Sequence, residues 1–346
     1  MMRAPTSLAT AVRRRDGTIT IRERRAPVAR TGWVKWPFVR GVASLVESLK
    51  LGNEALRFSS EKLQTDYDGD DIPGDGPKPG ILSALGLSVW HLSAQDAGGA
   101  PSTEGGGGGS MVVMAALMMG LLIVLPQLAA SGTTRLFGVH WAAQSAQAQA
   151  VTGAFKLAIV IGYMLAIRRV SLIRRVFQYH GAEHKTISTY EADEPLDLAH
   201  ARTKTTRHPR CGTTFLVMVV IVSVVVWTVL GGLMPRLDTG NWLLDGVAFA
   251  LVKLPFFPLL AGLTFELQRV FARYCTTGPL RVLLLPGFWV QGITTIEPDD
   301  AQLEIALASL RATLFRERGQ GEDSPTEVDY KTYGDLVAAD RLRPDA

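Results

Sequence analysis

The sequence predicts an α-helical integral membrane protein with about four transmembrane helices, cytoplasmic N- and C-terminal segments and a small N-terminal β-hairpin. Three observations predict it. Apolar stretches nearly free of charge recur through the middle of the chain. Lysine and arginine crowd into alternate connecting segments, and the first residues alternate about Asp16-Gly17, a strong hairpin turn.

The first span is Met111 to Ser131, which holds no charge and is long enough to cross a bilayer. The second is Ala150 to Ile167, interrupted only by Lys156. The third is Thr213 to Met234, rich in valine and isoleucine. The fourth is Val247 to Phe265, interrupted only by Lys253 and containing Pro255 and Pro258. Proline is tolerated in such helices where neighbours re-satisfy the backbone.

Orientation follows from the basic residues. Gly132 to Gln149 holds only Arg135, and Pro235 to Gly246 only Arg236. Arg168 to Gly212 instead carries Arg168, Arg169, Arg174, Arg175, Lys185, Arg202, Lys204, Arg207 and Arg210. The positive-inside rule therefore puts this segment and both termini in the cytoplasm of a multi-pass inner-membrane protein. No signal peptide is expected, because Arg13, Arg14 and Arg15 precede Asp16-Gly17 rather than an apolar run. Cys211 and Cys275 are the chain's 2 cysteines, and a reducing compartment disfavours a disulfide between them. The net charge of +4 is accounted for by the basic loops. Acidic residues interleave with basic ones without an aromatic platform, so no nucleic-acid partner is expected.

Five regions are expected. Residues 1–65 form a cytoplasmic hairpin followed by an amphipathic helix over Trp33 to Ser60, with Phe38, Val42, Leu45, Leu49 and Leu56 at helical spacing. Residues 66–110 read as a Gly/Asp/Pro-rich linker with a short helix at Ile81 to Leu92. Residues 111–267 make the membrane domain, including the cytoplasmic 168–212 segment. Residues 268–316 are cytoplasmic. There Val282 to Val290 is too short to cross, and a helix is capped by Asp299 with Gln302 in the reciprocal position. Leu303, Leu307, Leu310 and Leu314 share one face of that helix. Residues 317–346 read as a disordered tail.

The chemistry concentrates in His180-Gly181-Ala182-Glu183-His184. Two imidazoles four residues apart share a helix face and can reach one metal, with Glu183 placed to deprotonate water. This H-x-x-E-H order also marks one class of zinc peptidases. The second span is expected to continue unbroken from Met164 to His180, carrying the motif out of the membrane. His208-Pro209-Arg210-Cys211 leads straight into the third span, so His180, His184, His208 and Cys211 are candidate zinc ligands. Glu191 and Glu266 are further candidates. Two metal readings stay open: a catalytic site with three ligands and Glu183 as base, or a closed structural tetrahedron. A metal-free reading pairs Glu183 with Lys185 or Arg207. Lys253, an ionisable residue inside a span, is a functional candidate on that ground alone. No P-loop, dinucleotide fingerprint or nucleophile elbow is present, and the five glycines from Gly105 to Gly109 follow no strand.

His180-Gly-Ala-Glu-His184-Lys185-Thr186, Tyr190-Glu191 and His208-Pro-Arg-Cys211-Gly212-Thr213 together resemble the bacterial YqhQ-type integral membrane family. Its function is unknown, and its members are often described as metal-dependent enzymes. Met1-Met2-Arg3-Ala4-Pro5, Arg40-Gly41-Val42 with Leu45-Val46-Glu47, and Thr294-Thr295-Ile296-Glu297-Pro298-Asp299-Asp300 extend the resemblance over most of residues 1–315. Members usually carry a Gly-Gly-Gln-Ala-type segment before Met-Met-Arg, so two alternatives stay open: a natural start upstream, or loss of that segment's function.

These readings lead to a zinc-dependent hydrolase working at the cytoplasmic membrane face. The alternative is a non-catalytic scaffold or assembly factor with a structural metal. A small transporter using Lys253 comes third. Expected partners are the lipid bilayer, a second copy of the chain and a cytoplasmic protein.

Overall fold

The computed structural model describes residues 1–26, 32–67, 120–139, 141–234, 239–276, 278–319 and 324–339. The linker at 68–110, its short helix and the first half of the expected first span lie outside the described residues.

The hairpin forms as its turn chemistry dictates. Strands β2 (Ser7–Arg13) and β3 (Ile19–Arg25) pair antiparallel, with Ala11 opposite Ile21. Gly17 takes the positive φ of 91° that the turn requires. β1 (Met2–Arg3) pairs with β2 on one side, and β4 (Thr326–Tyr330) with β3 on the other. The disordered tail expected from 317 is therefore corrected. Val328 sits opposite Ile21, and the unpaired edge of β3 supplies ladder partners that local composition does not reveal.

Helix α1 (Val39–Tyr67) covers one face of this sheet through Leu51 and Phe58, with the Arg22 guanidinium 3.9 Å above the Phe58 ring. It runs beyond the expected Ser60 because Asp66 is held by Arg14 of the hairpin. The other face of the sheet meets α10 (Asp300–Glu317), capped by Asp299 and Gln302 as the sequence predicts. Ala9, Ile19 and Ile21 pack on Ile305, Ala308 and Ala312. The opposite side of α10 presents Leu303, Leu307 and Leu310 to Ala182 of α4 (Ser171–Glu191). α10 is thus buried nearly all round rather than along one stripe, which its alanines and Ser309 permit.

The apolar bundle has α2 (Leu125–Leu136), α3 (Ala146–Ile167), α6 (Gly212–Leu233) and a long broken helix. That helix comprises α7 (Trp242–Val252), a 3-10 turn at Leu254–Phe256 and α8 (Phe257–Tyr274). Among the described residues, three helices are long and apolar enough to cross a membrane: α3, α6 and Trp242–Tyr274. The first expected span is described only from Gly120 onward, as a wide helical turn at Gly120–Val124 running into α2. Ile221, Val225, Val229 and Leu233 form an exposed apolar stripe along α6, while Gly153 lets α3 come within 2.2 Å of Val224 at a built Cβ.

Two connections position the functional segment. The second span does not continue into the H-x-x-E-H helix. α3 ends at Ile167 and Val170 turns extended before α4 starts at Ser171. Arg168 donates to the Gly292 carbonyl across this bend, which swings α4 away from the bundle and onto α10. After α5 (Leu198–Thr203) the chain returns through His208 to Cys211, the residue preceding α6. The apolar run at 282–290 folds as a 3-10 turn into α9 (Leu285–Thr294), packed on α6 through Gly287 against Thr214.

Candidate metal centre

The motif's small residues explain its placement. A Cβ on Gly181 would lie 2.2 Å from the Ile296 carbonyl oxygen, so glycine alone lets the 294–297 segment close on α4. Ala182 is fully buried against α10. With this face packed, His180 and His184 project from the other side, their rings 4.5 Å apart.

Both imidazoles are anchored by backbone. His180 Nδ1 lies 3.1 Å from the Thr294 carbonyl and His184 Nδ1 2.6 Å from the Thr206 carbonyl. A carbonyl only accepts, so each Nδ1 carries the proton and donates, leaving both Nε2 atoms as the remaining ring donors to a metal. Cys211 completes the group, its Sγ 3.3 Å from His180 Nε2. One ligand atom from each of His180, His184 and Cys211 lies within 4.8 Å of the others.

At Cys211 charge favours the thiolate that a metal needs, whereas at His180 it favours a protonated ring whose proton a metal would displace. Burial pushes the Cys211 thiol up, but hydrogen bonds and positive charge from His180 and His184 outweigh it and pull it down to about 5. Burial likewise opposes charge on His180. The Cys211 hydrogen bond, the Cys211 and Glu183 charges and the Thr294 carbonyl raise it overall. A thiolate and two imidazoles with fixed tautomers are a donor set suited to zinc.

The remaining candidates fall elsewhere. His208 lies beside the group, its ring 5.8 Å from that of His184, but it is turned outward. Its Nε2 donates to Glu191 at 3.0 Å and its Nδ1 accepts from the Arg210 backbone at 3.3 Å. Glu191 also accepts from Arg210 at 2.8 Å. The expected four-residue convergence is thus corrected to three, because His208 and Glu191 satisfy each other. Glu266 is held by the Arg40 guanidinium, which ties α8 to α1. Glu183 pairs with neither Lys185 nor Arg207. Lys185 is buried on Glu297 and the Arg202 carbonyl, and Glu183 Oε1 lies 2.9 Å from the Met1 nitrogen. Lys253 sits in the bundle at the break between α7 and α8.

Supporting residues were not legible as such. Gln291 is fully buried on α9 and clamps the His208 backbone: its Oε1 accepts from His208 N at 2.9 Å. Its Nε2 donates to His208 O and Thr214 Oγ1, both at 2.6 Å. Gln268 of α8 donates to the Cys211 carbonyl at 3.0 Å. An isolated glutamine in an apolar run was the one available sign of this role.

A cleft of about 280 Å³ opens over the group, lined by His180, Glu183, His184, Glu191, His208 and Cys211 among others. The three donors therefore form its floor.

The profile of a protein family of unknown function, DUF1385, matches residues 36–316. The chain belongs to this family. It is also 31% identical over 307 residues to the uncharacterized protein YqhQ of Bacillus subtilis (strain 168), a match covering 88% of this chain and 86% of the relative. No solved structure matches it.

Proposed function

We propose that this family member is a membrane-embedded, zinc-dependent hydrolase whose site faces the cytoplasm at the membrane surface. The observation that carries this reading is the three-donor group on the floor of an open cleft. Structural zinc sites close with four protein ligands, whereas catalytic ones use three and keep a position for water or substrate. Here His208, the residue able to close the set, is engaged by Glu191. Zinc, when bound, supplies Lewis acidity toward a carbonyl or phosphoryl oxygen.

The chain's own residues have separable tasks. The Thr294 and Thr206 carbonyls fix the two tautomers. Glu183, on the cleft wall, accepts a proton from water. The His208–Glu191 pair is a second place to hold a proton, and Arg210 brings positive charge to the cleft mouth. Exposed Arg169, Arg174 and Arg175 follow α3 and favour the cytoplasmic orientation of this end.

A scaffold with a structural metal is the second reading. It is favoured by the meeting of α4, the 206–211 loop and the 294–296 segment at one point, which a metal would pin.

The test is bound metal in detergent-purified protein handled without chelators. Wild type should carry about one zinc per chain, and His184→Ala should lose it. Glu183→Gln should keep the metal while failing to complement loss of the gene in cells. Metal-free wild type would sink both readings, and full complementation by Glu183→Gln would leave the scaffold.

A further inference from the structure

Far from the metal centre, the bundle encloses a second polar cluster. Lys253 is 5% exposed and falls where Leu254–Phe256 breaks the helix between α7 and α8. Its Nζ donates to Gln127 Oε1 at 2.6 Å and to Gln149 Oε1 at 2.9 Å. It also lies 4.5 Å from the centroid of the Phe249 ring and 5.7 Å from that of Trp227. These contacts satisfy the hydrogens of an ammonium but do not neutralise it. Among the described residues, no carboxylate pairs with Lys253. Lys156 lies four positions beyond Thr152, on the α3 face that carries Gln149 and Thr152.

Gln127 supplies an independent sign. It is fully buried, and its carboxamide is fixed toward Lys253 by the 2.6 Å bond through Oε1. Its Nε2 has no hydrogen-bond partner. Leaving a buried donor unpaired is costly. Exchanging the oxygen and nitrogen of this amide would not help, because it would turn the NH2 group against the ammonium. Gln149 is locked in the same sense, its Nε2 donating to the Ala143 carbonyl at 2.5 Å. The cluster therefore presents a buried lysine without a counter-charge and a spare amide donor together. What is missing is negative charge that accepts hydrogen bonds.

We infer that Lys253 and Gln127 form a binding site for a small inorganic anion of halide size inside the bundle. The Gln127 amide donates to the ion, and Lys253, protonated as the ion binds, compensates its charge. Close packing sets the size limit. Phe249 is 1% exposed, and Trp227 makes edge contacts with Phe249 and Phe256 at centroid distances of 6.0 and 5.5 Å. A lipid headgroup does not fit among such neighbours. The ion acts as the counter-charge that lets a cation persist in an apolar interior, where ionisable groups are otherwise paired.

The experiment is thermal unfolding of the full-length protein in detergent, with sodium gluconate exchanged for sodium chloride or bromide at constant ionic strength. An ion bound only by the folded state raises the midpoint with concentration, here by at least about 3 °C at saturation. Bromide should also quench tryptophan emission in wild type more than in Trp227→Phe. Lys253→Met should abolish the halide dependence. Should that variant not fold, Gln127→Glu keeps the shape and supplies a built-in carboxylate. It should fold and be indifferent to halide. Equal midpoints in gluconate, chloride and bromide for wild type would overturn the inference. So would a halide response that survives in Gln127→Glu.

Discussion

At the foot of the bundle, two imidazoles and the Cys211 sulfur turn toward a shared point. Inside the bundle, Lys253 instead turns its ammonium toward two amide oxygens and an aromatic face. The first is built from α4 and the residue preceding α6, the second from side chains of several helices. The difference lies in what the surroundings leave over. Around His180 and His184 every outer hydrogen bond goes to a fixed carbonyl, so the spare capacity is for accepting a cation. Around Lys253 the acceptors are consumed and the spare capacity is a donor. Buried polar groups are seldom left unsatisfied, so the sign of the residue left over points to the sign of the ligand.

The hardest test of this contrast separates ligands from neighbours at the metal centre. Cys211→Ser should lower zinc affinity by more than about 100-fold, because even loss of an outer partner of a ligand costs about 10–100-fold. His208→Asn should leave zinc affinity within about threefold, which is about half a decade and under about 0.7 kcal/mol. Titration against a competing chelator measures both. Equal losses would return His208 to the ligand set and close the site.

Next in size is Gly181→Ala. The new methyl would meet the Ile296 oxygen at 2.2 Å, so either α4 or the 294–297 segment must move. Overpacking of this kind costs about 1–3 kcal/mol. Because Thr294 holds His180, zinc occupancy should fall together with the unfolding midpoint. A lowered midpoint with full zinc would show that the carbonyl anchor is dispensable.

Much of this arrangement was legible beforehand. The hairpin turn at Gly17, the Asp299–Gln302 cap and three of the four apolar spans are local patterns, and they formed where local chemistry required. The His/Cys group was partly legible, since i,i+4 spacing and the short 208–211 link bring its members near one another. What separates Cys211 from His208 was not. It depends on Gln291, which comes from 83 positions away to fix the His208 backbone, and on Glu191, which turns the ring. β4 was hidden for the same reason, because its partner strand is some 300 residues earlier. The bend at 168–170 contains neither glycine nor proline, and the carbonyl that Arg168 meets there belongs to Gly292. Backbone carbonyls have no signature in a sequence, although both metal-facing imidazoles depend on one.

Gln291→Leu probes the support of that distinction. The substitution keeps the volume but leaves His208 N, His208 O and Thr214 Oγ1 without their partner inside a buried region. Each buried group left unsatisfied costs about 1–3 kcal/mol, less whatever water recovers. The expected result is a lower unfolding midpoint and a His208 freed from its present orientation. Double mutants with His208→Asn then show whether the two act as a unit. Additive losses would mean that Gln291 stabilises α6 and α9 without organising the cleft.

The smallest effect belongs at the surface, where neither cluster's logic applies. Arg14 donates to Asp66 and ties the hairpin to the end of α1. Its hydrogen bond holds the Asp66 carboxyl below the ordinary value of 3.8, against a smaller opposing effect of burial. A depressed folded-state pKa adds stability that is fully present above the unfolded value and is lost as pH falls through the folded one. Asp66→Asn should therefore unfold slightly earlier than wild type at neutral pH, and the two curves should converge as pH falls through the lowered folded-state value. Solvent and salt screen such a pair, so the neutral-pH difference should shrink further as salt is raised. Urea unfolding of the detergent-solubilised protein across pH reads both trends. A difference that persists into acid would mean that Asp66 acts through packing at the end of α1, and that even this exposed contact shares the shape dependence of the buried clusters.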